Sequence, residues 1–540
     1  MPLQRRHLLR TTLASMAAGV LAGLRPNQRA FAATQHQTSA GTLRLAGPLR
    51  GPASLDPALS RDLATNQIVR QVFRGLMHFD AGLNPVPALA NDVAVSEDGR
   101  RYRFTMRADA RFHDGRAITA DDVVASFHRA LCPATGEGDI RRLAGVTYLG
   151  DILGAADLLA GRTDQLSGAR ILDERTVEIE LETPRATFLM KLASVPASIV
   201  DTDQAMRDPE WWQAPNGTGP FRVESWEPEQ QLTLAADPAF RGEPVGIERL
   251  EIRLGASASL PFNLYQEGEI DLLESVPVES VALVRDPASN FLGTLVETPL
   301  FAVHYIAFGN TQPPYDDPML RQALRLAFST RRYASVSEGG TVEAATGIIP
   351  RGMLGQSWAT EWIEPDLEAA SAALAASRFE TAARVPRLPI YCADPEPVEA
   401  LRDVLGDELG LRVEVVEVNW PDFLTGLTGR LFPAYSLYWG ADYPDPESIL
   451  WMLFGSDSAD NYTGYHNAEV DALLGEASGV VDAEARVPLY DAAQRLLLDD
   501  GAVLPLYYDV GYTLVRPEVH GVEISPLGIL GFERASLERP

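Results

Sequence analysis

The chain contains almost no lysine and very little cysteine, and these shortages exclude several kinds of active site. Lys191 is the only lysine among 540 residues. It lies in FLMKLAS, without the glycines that precede the lysine of a phosphate-binding loop, and Phe188 stands where a Ser-x-x-Lys nucleophile would need serine. Cys132 and Cys392 are too far apart in the sequence for a Cys-x-x-Cys metal or redox motif. They form either one disulfide in an oxidising compartment or two separate thiols.

Other catalytic motifs are also missing from the sequence. It has no Gly-x-Ser-x-Gly and no His-Glu-x-x-His, and its eight histidines are scattered. His113 precedes Asp114 in FHDGR, but the Asp-Gly pair is typical of a turn, here between a strand and a helix. The turn is therefore favoured over a catalytic role for the two residues. We therefore predict that the protein is not an enzyme and that it holds no metal ion and no cofactor.

Positive charge is scarce relative to negative charge, which bears on the choice of partners. The formal net charge is −28, from 46 basic and 74 acidic residues. Such an acidic surface repels phosphate backbones and anionic lipids, so we expect neither nucleic acid nor direct membrane insertion. The composition is that of a soluble globular protein, and the length predicts two or three domains.

The only export-like segment is at the N-terminus. Residues 1–32 combine basic residues, no acidic residue, a short apolar middle and an Ala-Phe-Ala cleavage pattern. The pair Arg5-Arg6 in RRHLLR predicts the twin-arginine export route, with the general secretory route as the alternative. A lipid anchor would need a cysteine near the cleavage site, and none lies there. We therefore predict a periplasmic protein with a cleaved signal peptide.

The rest of the chain shows alternating strand and helix patterns. Residues 100–107 and 175–184 alternate apolar and polar side chains, as half-buried strands do. Thr119 and Asp122 form a capping-box pattern, and Asp317 followed by proline predicts another helix start. Between residues 386 and 443, strands and helices alternate with short links, which predicts an α/β sheet covered by helices. In such sheets ligands bind beyond the carboxyl ends of strands.

The stretch YWGADYPDPESIL at residues 438–450 follows such a strand end and contains two aspartates. Asp445 precedes Pro446 and an apolar helical pattern, so we predict that Asp445 is the N-cap and Pro446 the first helical residue. Asp442 has no comparable structural role. In extended or polyproline geometry the two carboxylates do not form a close acid/base pair, although a wide inverting-glycosidase separation stays open.

Several segments, in order, resemble the family 5 extracellular solute-binding proteins, the peptide, dipeptide and nickel receptors of ABC importers. The resemblance is carried by the segment from PALANDV to SFHRAL at 87–131, by NGTGPFRVESWEP at 216–228 and by WGADYPDPESIL at 439–450. It implies a two-lobed periplasmic binding protein fold, α/β and type II-like with mixed sheets, and an extra domain in the first lobe.

The resemblance also implies domain boundaries. Lobe I would comprise residues 41–86, 200–300 and 506–540, the extra domain 87–199, and lobe II 301–505. The chain would cross between the lobes near Phe301–Asn310 and Val503–Tyr508, and a hinge at these crossings would close the cleft on a ligand.

In peptide-binding members of the family, the aspartate that matches Asp442 takes the α-ammonium of the ligand. We therefore predict a ligand-binding set without catalytic or metal-ligating members: Asp442, Trp439, Tyr443, Tyr438, Trp420 and Tyr305. A peptide is the favoured ligand, and nickel chelates, opines, oligosaccharides and other amines are alternatives. Permease and ATPase subunits are the implied partners, and we expect a monomer. Two rival functions are a secreted glycoside hydrolase and a binding-fold chaperone or sensory protein.

Overall fold

Strands and helices alternate along the part of the chain that the structure describes. The computed structural model describes residues 41–47, 51–242, 245–255, 260–336, 338–354 and 365–538. The predicted export signal at residues 1–32 lies outside these ranges. Among the described residues, no helix combines the length and the apolar character needed to cross a membrane.

Twenty-one strands are defined within the described ranges. They are β1 (Thr42–Ala46), β2 (Met77–Phe79), β3 (Pro85–Pro87), β4 (Ala90–Val95), β5 (Arg101–Met106), β6 (Ala169–Asp173), β7 (Thr176–Glu180), β8 (Phe221–Glu227), β9 (Gln231–Ala236), β10 (Arg249–Arg253), β11 (Leu272–Leu273), β12 (Leu295–Phe308), β13 (Glu343–Ala344), β14 (Leu388–Cys392), β15 (Val413–Glu417), β16 (Ala434–Gly440), β17 (Val503–Val515), β18 (Val519–His520), β19 (Glu523–Ile524), β20 (Leu530–Gly531) and β21 (Ser536–Leu537).

Sixteen α-helices lie between and around these strands in the same ranges. They are α1 (Leu63–Val72), α2 (Ala120–Leu131), α3 (Gly145–Leu149), α4 (Ala155–Leu159), α5 (Phe188–Leu192), α6 (Thr202–Arg207), α7 (Leu260–Glu267), α8 (Val278–Val284), α9 (Pro318–Leu326), α10 (Thr330–Val336), α11 (Leu367–Ala376), α12 (Glu396–Leu409), α13 (Trp420–Thr428), α14 (Glu447–Phe454), α15 (Ala468–Gly479) and α16 (Ala483–Asp499).

The largest sheet of the described structure is mixed and has eleven strands. Ten follow the order β15-β14-β16-β12-β17-β11-β1-β10-β9-β8, and β13 pairs with β17. Strand β14 is parallel to β15 and β16, and β1 is parallel to β10 and β11. The predicted α/β character of residues 386–443 is therefore confirmed, including the end of α12 at Gly410, whose φ of +66° suits a residue without Cβ.

A second, four-stranded sheet is antiparallel, in the order β4-β5-β7-β6. Its two inner strands are the ones predicted from alternation, and Tyr102, Phe104, Val177 and Ile179 are buried on one face. Helix α2 packs against this sheet and begins with the predicted capping box, in which Thr119 and Asp122 each bind the other's backbone N–H. The predicted cap at Asp317 is also present at the start of α9.

Strands β12 and β17 are the longest and join the two halves of the large sheet. Their antiparallel pairing runs from Leu295–Leu514 to Ala307–Val503 and is interrupted between Pro299 and Val303. At the interruption, the Phe301 N–H donates to the Pro526 carbonyl (2.7 Å) and the Phe301 carbonyl accepts from the Ala441 N–H (2.8 Å). The predicted crossings lie on these two strands.

Buried apolar side chains form separate clusters along the chain. One surrounds the four-stranded sheet within residues 58–199, another lies within 43–272 and 519–535, and two more draw mainly on residues 301–527. This grouping is compatible with the predicted domains, whose exact boundaries stay a prediction. Cys132 ends α2 and Cys392 lies in β14, and both are free thiols, so the alternative of two separate thiols describes the structure.

The helix after Pro446 begins one residue later than predicted. Helix α14 starts at Glu447, with Pro446 at the N-cap position. The Asp445 Oδ1 atom still accepts the Glu447 N–H at 3.0 Å, so this carboxylate caps the helix from one position further out. Asp445 is fully buried and also binds the Arg486 guanidinium (2.6 Å) and the Tyr490 hydroxyl (2.7 Å). Its structural role is therefore larger than a cap.

We expect Arg486→Met to destabilise the fold by about 3–5 kcal/mol, because it leaves the buried Asp445 carboxylate without its cation. Urea unfolding at pH 7 measures this change. The matched control is Arg495→Met on the same helix, where the ion pair with Asp491 is exposed and contributes at most about 1 kcal/mol. Equal losses in the two variants would contradict the structural role assigned to the buried pair.

Candidate ligand-binding cleft

The loop between β16 and α14 directs its two aspartates to different surroundings. Pro444 and Pro446 restrict the residues before them to extended conformations, so the loop is short and stiff. Asp445 points into the packed interior, and Asp442 lines a cavity of about 630 Å³. The structure thus separates the two carboxylates, as the sequence predicted.

The cavity lies between parts of the chain that are distant in sequence. One wall comes from residues 59–70, 144–148 and 194–196, and the opposite wall comes from residues 420–462. Residues 300–302, at the interruption of β12, and residues 526–529 complete it. We call this cavity the cleft. Its volume is within the range of small-molecule sites.

Asp442 has a hydrogen-bond partner that the sequence did not predict. Its Oδ1 atom accepts the Tyr148 hydroxyl at 2.9 Å, across the cleft from the opposite wall. Burial raises the pKa of Asp442 to about 6, and the nearby Asp460 carboxylate acts in the same direction. The Tyr148 hydrogen bond and the charges of Arg61 and Lys191 lower this pKa, but they only partly offset burial. The hydrogen bond from Tyr148 is thus a contact that the predicted absence of a structural role for Asp442 did not include.

Three of the predicted aromatic residues line the cleft. Trp439 is held in place because its indole N–H donates to the Ser448 carbonyl at 3.0 Å. Tyr438 and Trp420 keep 41% and 53% of their surface exposed, which is unusual for such large side chains. With Leu424 and Met452 they give the wall of residues 420–462 an apolar surface beside Asp442.

The other two predicted aromatic residues do not reach the cleft. Tyr443 is 1% exposed, and the Lys191 ammonium lies 5.8 Å from the centre of its ring. Tyr305 is 0% exposed, and its position in β12 directs it into the packed core, against Tyr435. Neither lines the cavity. Contact of Tyr443 and Tyr305 with a ligand stays a prediction that the cavity does not support, because neighbouring positions on an extended chain face opposite sides.

The cleft also contains residues that the sequence reasoning missed. Tyr148 and Arg70 come from one wall, and Asp460 and Tyr462 come from the other. The Tyr462 hydroxyl donates to Asp460 at 2.7 Å. No motif marks these residues, since each becomes part of the site only through long-range packing. In the described part of the chain, no group of three or more His, Cys, Asp or Glu side chains is arranged to hold a metal ion.

Two other cavities are at least as large, about 670 and 740 Å³, but their surroundings differ from the cleft. In the 670 Å³ cavity several charged side chains pair with one another, as in Arg107 with Asp109 and Arg534 with Glu523. The 740 Å³ cavity is mainly apolar. The cleft is the one that combines Asp442, exposed aromatic rings and two opposed walls.

We expect Asp442→Asn to stabilise the ligand-free protein at pH 7 by about 1–3 kcal/mol. Because the folded-state pKa is raised to about 6, ionisation of Asp442 costs stability as the pH rises from about 4 to about 6. Asparagine mimics the neutral carboxyl group, and its oxygen can still accept the Tyr148 hydroxyl. The difference in unfolding free energy between Asp442→Asn and the wild type should therefore shrink below pH 6 and vanish near pH 4.

Urea unfolding between pH 4 and pH 7.5 measures this profile. The matched control is Asp445→Asn in the same loop, which removes the partner of Arg486 and should lower the unfolding free energy at pH 7. An Asp442→Asn variant that is less stable than the wild type at pH 7 would refute the buried, uncompensated state of Asp442.

Comparisons with known proteins identify the family and the fold. The family model "Bacterial extracellular solute-binding proteins, family 5 Middle" matches residues 84–461. The probable di/tripeptide-binding protein 5 of Pseudomonas aeruginosa is 28% identical over 500 residues, which cover 88% of this chain and 91% of that protein. The probable deoxycholate-binding periplasmic protein YgiS of Escherichia coli is 28% identical over 483 residues, covering 87% and 88%.

Among solved structures, the ABC transporter-associated periplasmic binding protein DppA of Helicobacter pylori, in complex with the peptide STSA, superposes with a TM-score of 0.77. It is 21% identical and the match covers 92% of this chain and 98% of that one. The predicted two-lobed α/β fold with mixed sheets is thereby confirmed. Because the family model matches well over half of the sequence, the chain belongs to the bacterial extracellular solute-binding proteins of family 5.

Proposed function

We propose that this protein is the periplasmic receptor of an ABC importer and binds a small peptide in the cleft, with the α-ammonium of the peptide at Asp442. The observation that carries the proposal is the Asp442 carboxylate, half-buried in the wall of the cleft without a cation in contact. A relative named as a di/tripeptide-binding protein supports the choice of ligand. We also propose export of the chain by a twin-arginine signal at residues 1–32, and lobe boundaries as predicted from the sequence.

The ammonium group fits the local hydrogen bonding. Tyr148 donates its proton to Asp442, so the hydroxyl oxygen keeps lone pairs that can accept a ligand N–H. The Asp442 carboxylate loses contact with water in the wall of the cleft. A cation placed between Asp442 and Tyr148 would replace that contact with charge-assisted hydrogen bonds. The exposed faces of Trp420 and Tyr438 offer apolar contact to the side chains of a peptide and exclude water from the ion pair.

The surroundings of the Asp442 loop support closure of the lobes on the ligand. Behind the loop, Glu447 accepts the Thr187 hydroxyl and lies 3.7 Å from the Arg185 guanidinium. The only lysine, Lys191, lies 2.7 Å from Asp151 in the same network. Thr187 and Arg185 belong to the proposed extra domain and Glu447 to proposed lobe II, so these contacts would form only when the lobes approach.

Rival functions lead to different observations. A glycoside hydrolase would use Asp442 with a second acid, and Asp460 lies near enough to raise the pKa of Asp442. Turnover of chromogenic glycosides would favour that function. The relatives named above are binding proteins, which supports the receptor.

We expect isothermal titration to detect binding of di- or tripeptides, and Asp442→Asn to weaken it by about 2–5 kcal/mol, since the variant leaves the buried ammonium without its anion. N-acetylated peptides, which lack the ammonium, should bind the wild type as weakly as unmodified peptides bind Asp442→Asn.

Binding to the wild type should be about 10-fold weaker at pH 5 than at pH 7, because Asp442 must be ionised. The pH dependence should disappear in Asp442→Asn. An unchanged Kd in this variant would remove Asp442 from the ligand site.

We expect Glu447→Gln to weaken peptide binding by about 2- to 30-fold, although Glu447 does not line the cleft. The substitution keeps the size of the side chain and removes the charge that faces Arg185, so it should shift the ligand-free protein toward the open state. Small-angle scattering should then show a larger radius of gyration without peptide. Asp491→Asn on α16, a half-buried carboxylate paired with Arg495 of the same helix, serves as the control, and an effect of equal size there would contradict a role in closure.

A further inference from the structure

Asp460 is a second carboxylate of the cleft, on the same wall as Asp442. It is half-buried in the connection between α14 and α15. Its Oδ1 atom accepts the Tyr462 hydroxyl at 2.7 Å, and Tyr462 also lines the cleft. A carboxylate has roughly four acceptor sites, so the one hydrogen bond from Tyr462 holds Asp460 in place and leaves it able to accept donors from a ligand.

The protein does not neutralise either of these two carboxylates by contact. Among the described residues neither forms an ion pair, and their side-chain partners are the neutral hydroxyls of Tyr148 and Tyr462. Arg61 on the opposite wall acts on Asp442 and Tyr462 only from a distance, because its guanidinium donates to a backbone carbonyl instead. The cations that would match both carboxylates therefore have to come from the ligand.

The two carboxylates are near enough to influence each other. The charge of Asp460 raises the pKa of Asp442, and the described lining residues of their wall include no basic residue. Like charges on one wall make the ionisation of each more costly. A ligand with one ammonium group would compensate Asp442 and leave Asp460 unmatched, whereas a ligand with two cationic groups would compensate both.

The surface around Asp460 suits a long cationic side chain. Leu424 and Met452 line the same wall. Trp420 and Tyr438 expose much of their surface there. The side chains of lysine and arginine carry a charged head on an apolar stem, so the stem would pack on this wall while the head reaches a carboxylate. The faces of aromatic rings also attract such cations.

We propose that Asp460 binds the cationic side chain of the first residue of the ligand, so that the receptor selects peptides that begin with lysine or arginine. This inference rests on the proposed function, in which Asp442 takes the α-ammonium of the same residue. A basic first residue carries both cations, and its flexible stem lets them reach two neighbouring carboxylates. Each contact is then a charge-assisted hydrogen bond, which is stronger than a neutral one.

The test compares peptides that differ in the side-chain charge. Lysyl-alanine and norleucyl-alanine share the apolar stem of four carbon atoms, and norleucine lacks the ammonium group. In titrations at pH 7 the wild type should bind lysyl-alanine about 10- to 100-fold more tightly, the usual contribution of a hydrogen bond between charged groups. Alanyl-lysine, with its cation on the second residue, should show no such advantage over alanyl-norleucine.

Asp460→Asn removes the charge and keeps the size of the side chain and an oxygen for the Tyr462 hydroxyl. This variant should bind lysyl-alanine and norleucyl-alanine alike. Since a like charge is gone, the pKa of Asp442 should fall, and binding of norleucyl-alanine should persist to a lower pH than in the wild type. The matched control is Asp457→Asn, an exposed carboxylate of the same connection outside the cleft, which should keep the preference for lysine.

Three results would overturn the inference. They are equal binding of the two peptides by the wild type, an undiminished preference in Asp460→Asn, and an equal loss of preference in Asp457→Asn, which would indicate general attraction by an acidic surface. Failure of the proposed function looks different, because then neither peptide binds the wild type, or N-acetylation of norleucyl-alanine leaves its affinity unchanged. Thermal unfolding checks that both variants are folded.

Discussion

The antiparallel pairing of β12 with β17 is the constraint on which the rest of the structure depends. These two strands carry the β15-β14-β16 half of the large sheet on one side and the half from β11 to β8 on the other. Their pairing is broken only between Pro299 and Val303 and at one further irregularity near Tyr305. The cleft opens at the first break, where residues 300–302 line it. Phe301 and Val303, at this break, both belong to a buried apolar cluster that also includes Leu527, so the segments that line the cleft here are packed together.

The same neighbourhood explains why two aspartates three residues apart have opposite roles. Asp445 is buried with Arg486 and Tyr490, which satisfy its charge and fix the start of α14. Asp442 is held by the same stiff loop, but its contact is a neutral hydroxyl from the opposite wall. The Asp445 carboxylate, paired with Arg486, supports the start of α14, whereas the Asp442 carboxylate has no cation in contact and would be available to a ligand cation. Charge compensation therefore distinguishes Asp445, which has a structural role, from Asp442, at which we propose that the ligand binds.

Local signals in the sequence predicted the elements that depend on neighbouring residues. The capping box at Thr119, the cap at Asp317 and the end of α12 at Gly410 are of this kind. The composition of the cleft was only half predictable. Asp442 follows the end of β16, and Tyr438 lies near the end of the same strand, so the sequence pattern indicated both. Tyr148 and Arg70 reach the cleft only through the packing of distant segments. The positions of Tyr443 and Tyr305 outside the cleft could not be predicted for a related reason, because the face on which a side chain lies depends on the register of the sheet.

The charge of Asp442 would set a requirement for the ligand of the proposed receptor. Burial favours the protonated form of this carboxyl group, whereas a cation in contact with it would favour the ionised form. A ligand without an ammonium group would leave the ionised carboxylate unsatisfied. Since unsatisfied buried polar groups discriminate more strongly than apolar contacts do, ligand choice would depend on this group. The aromatic wall of Trp420 and Tyr438 would then tolerate many side chains.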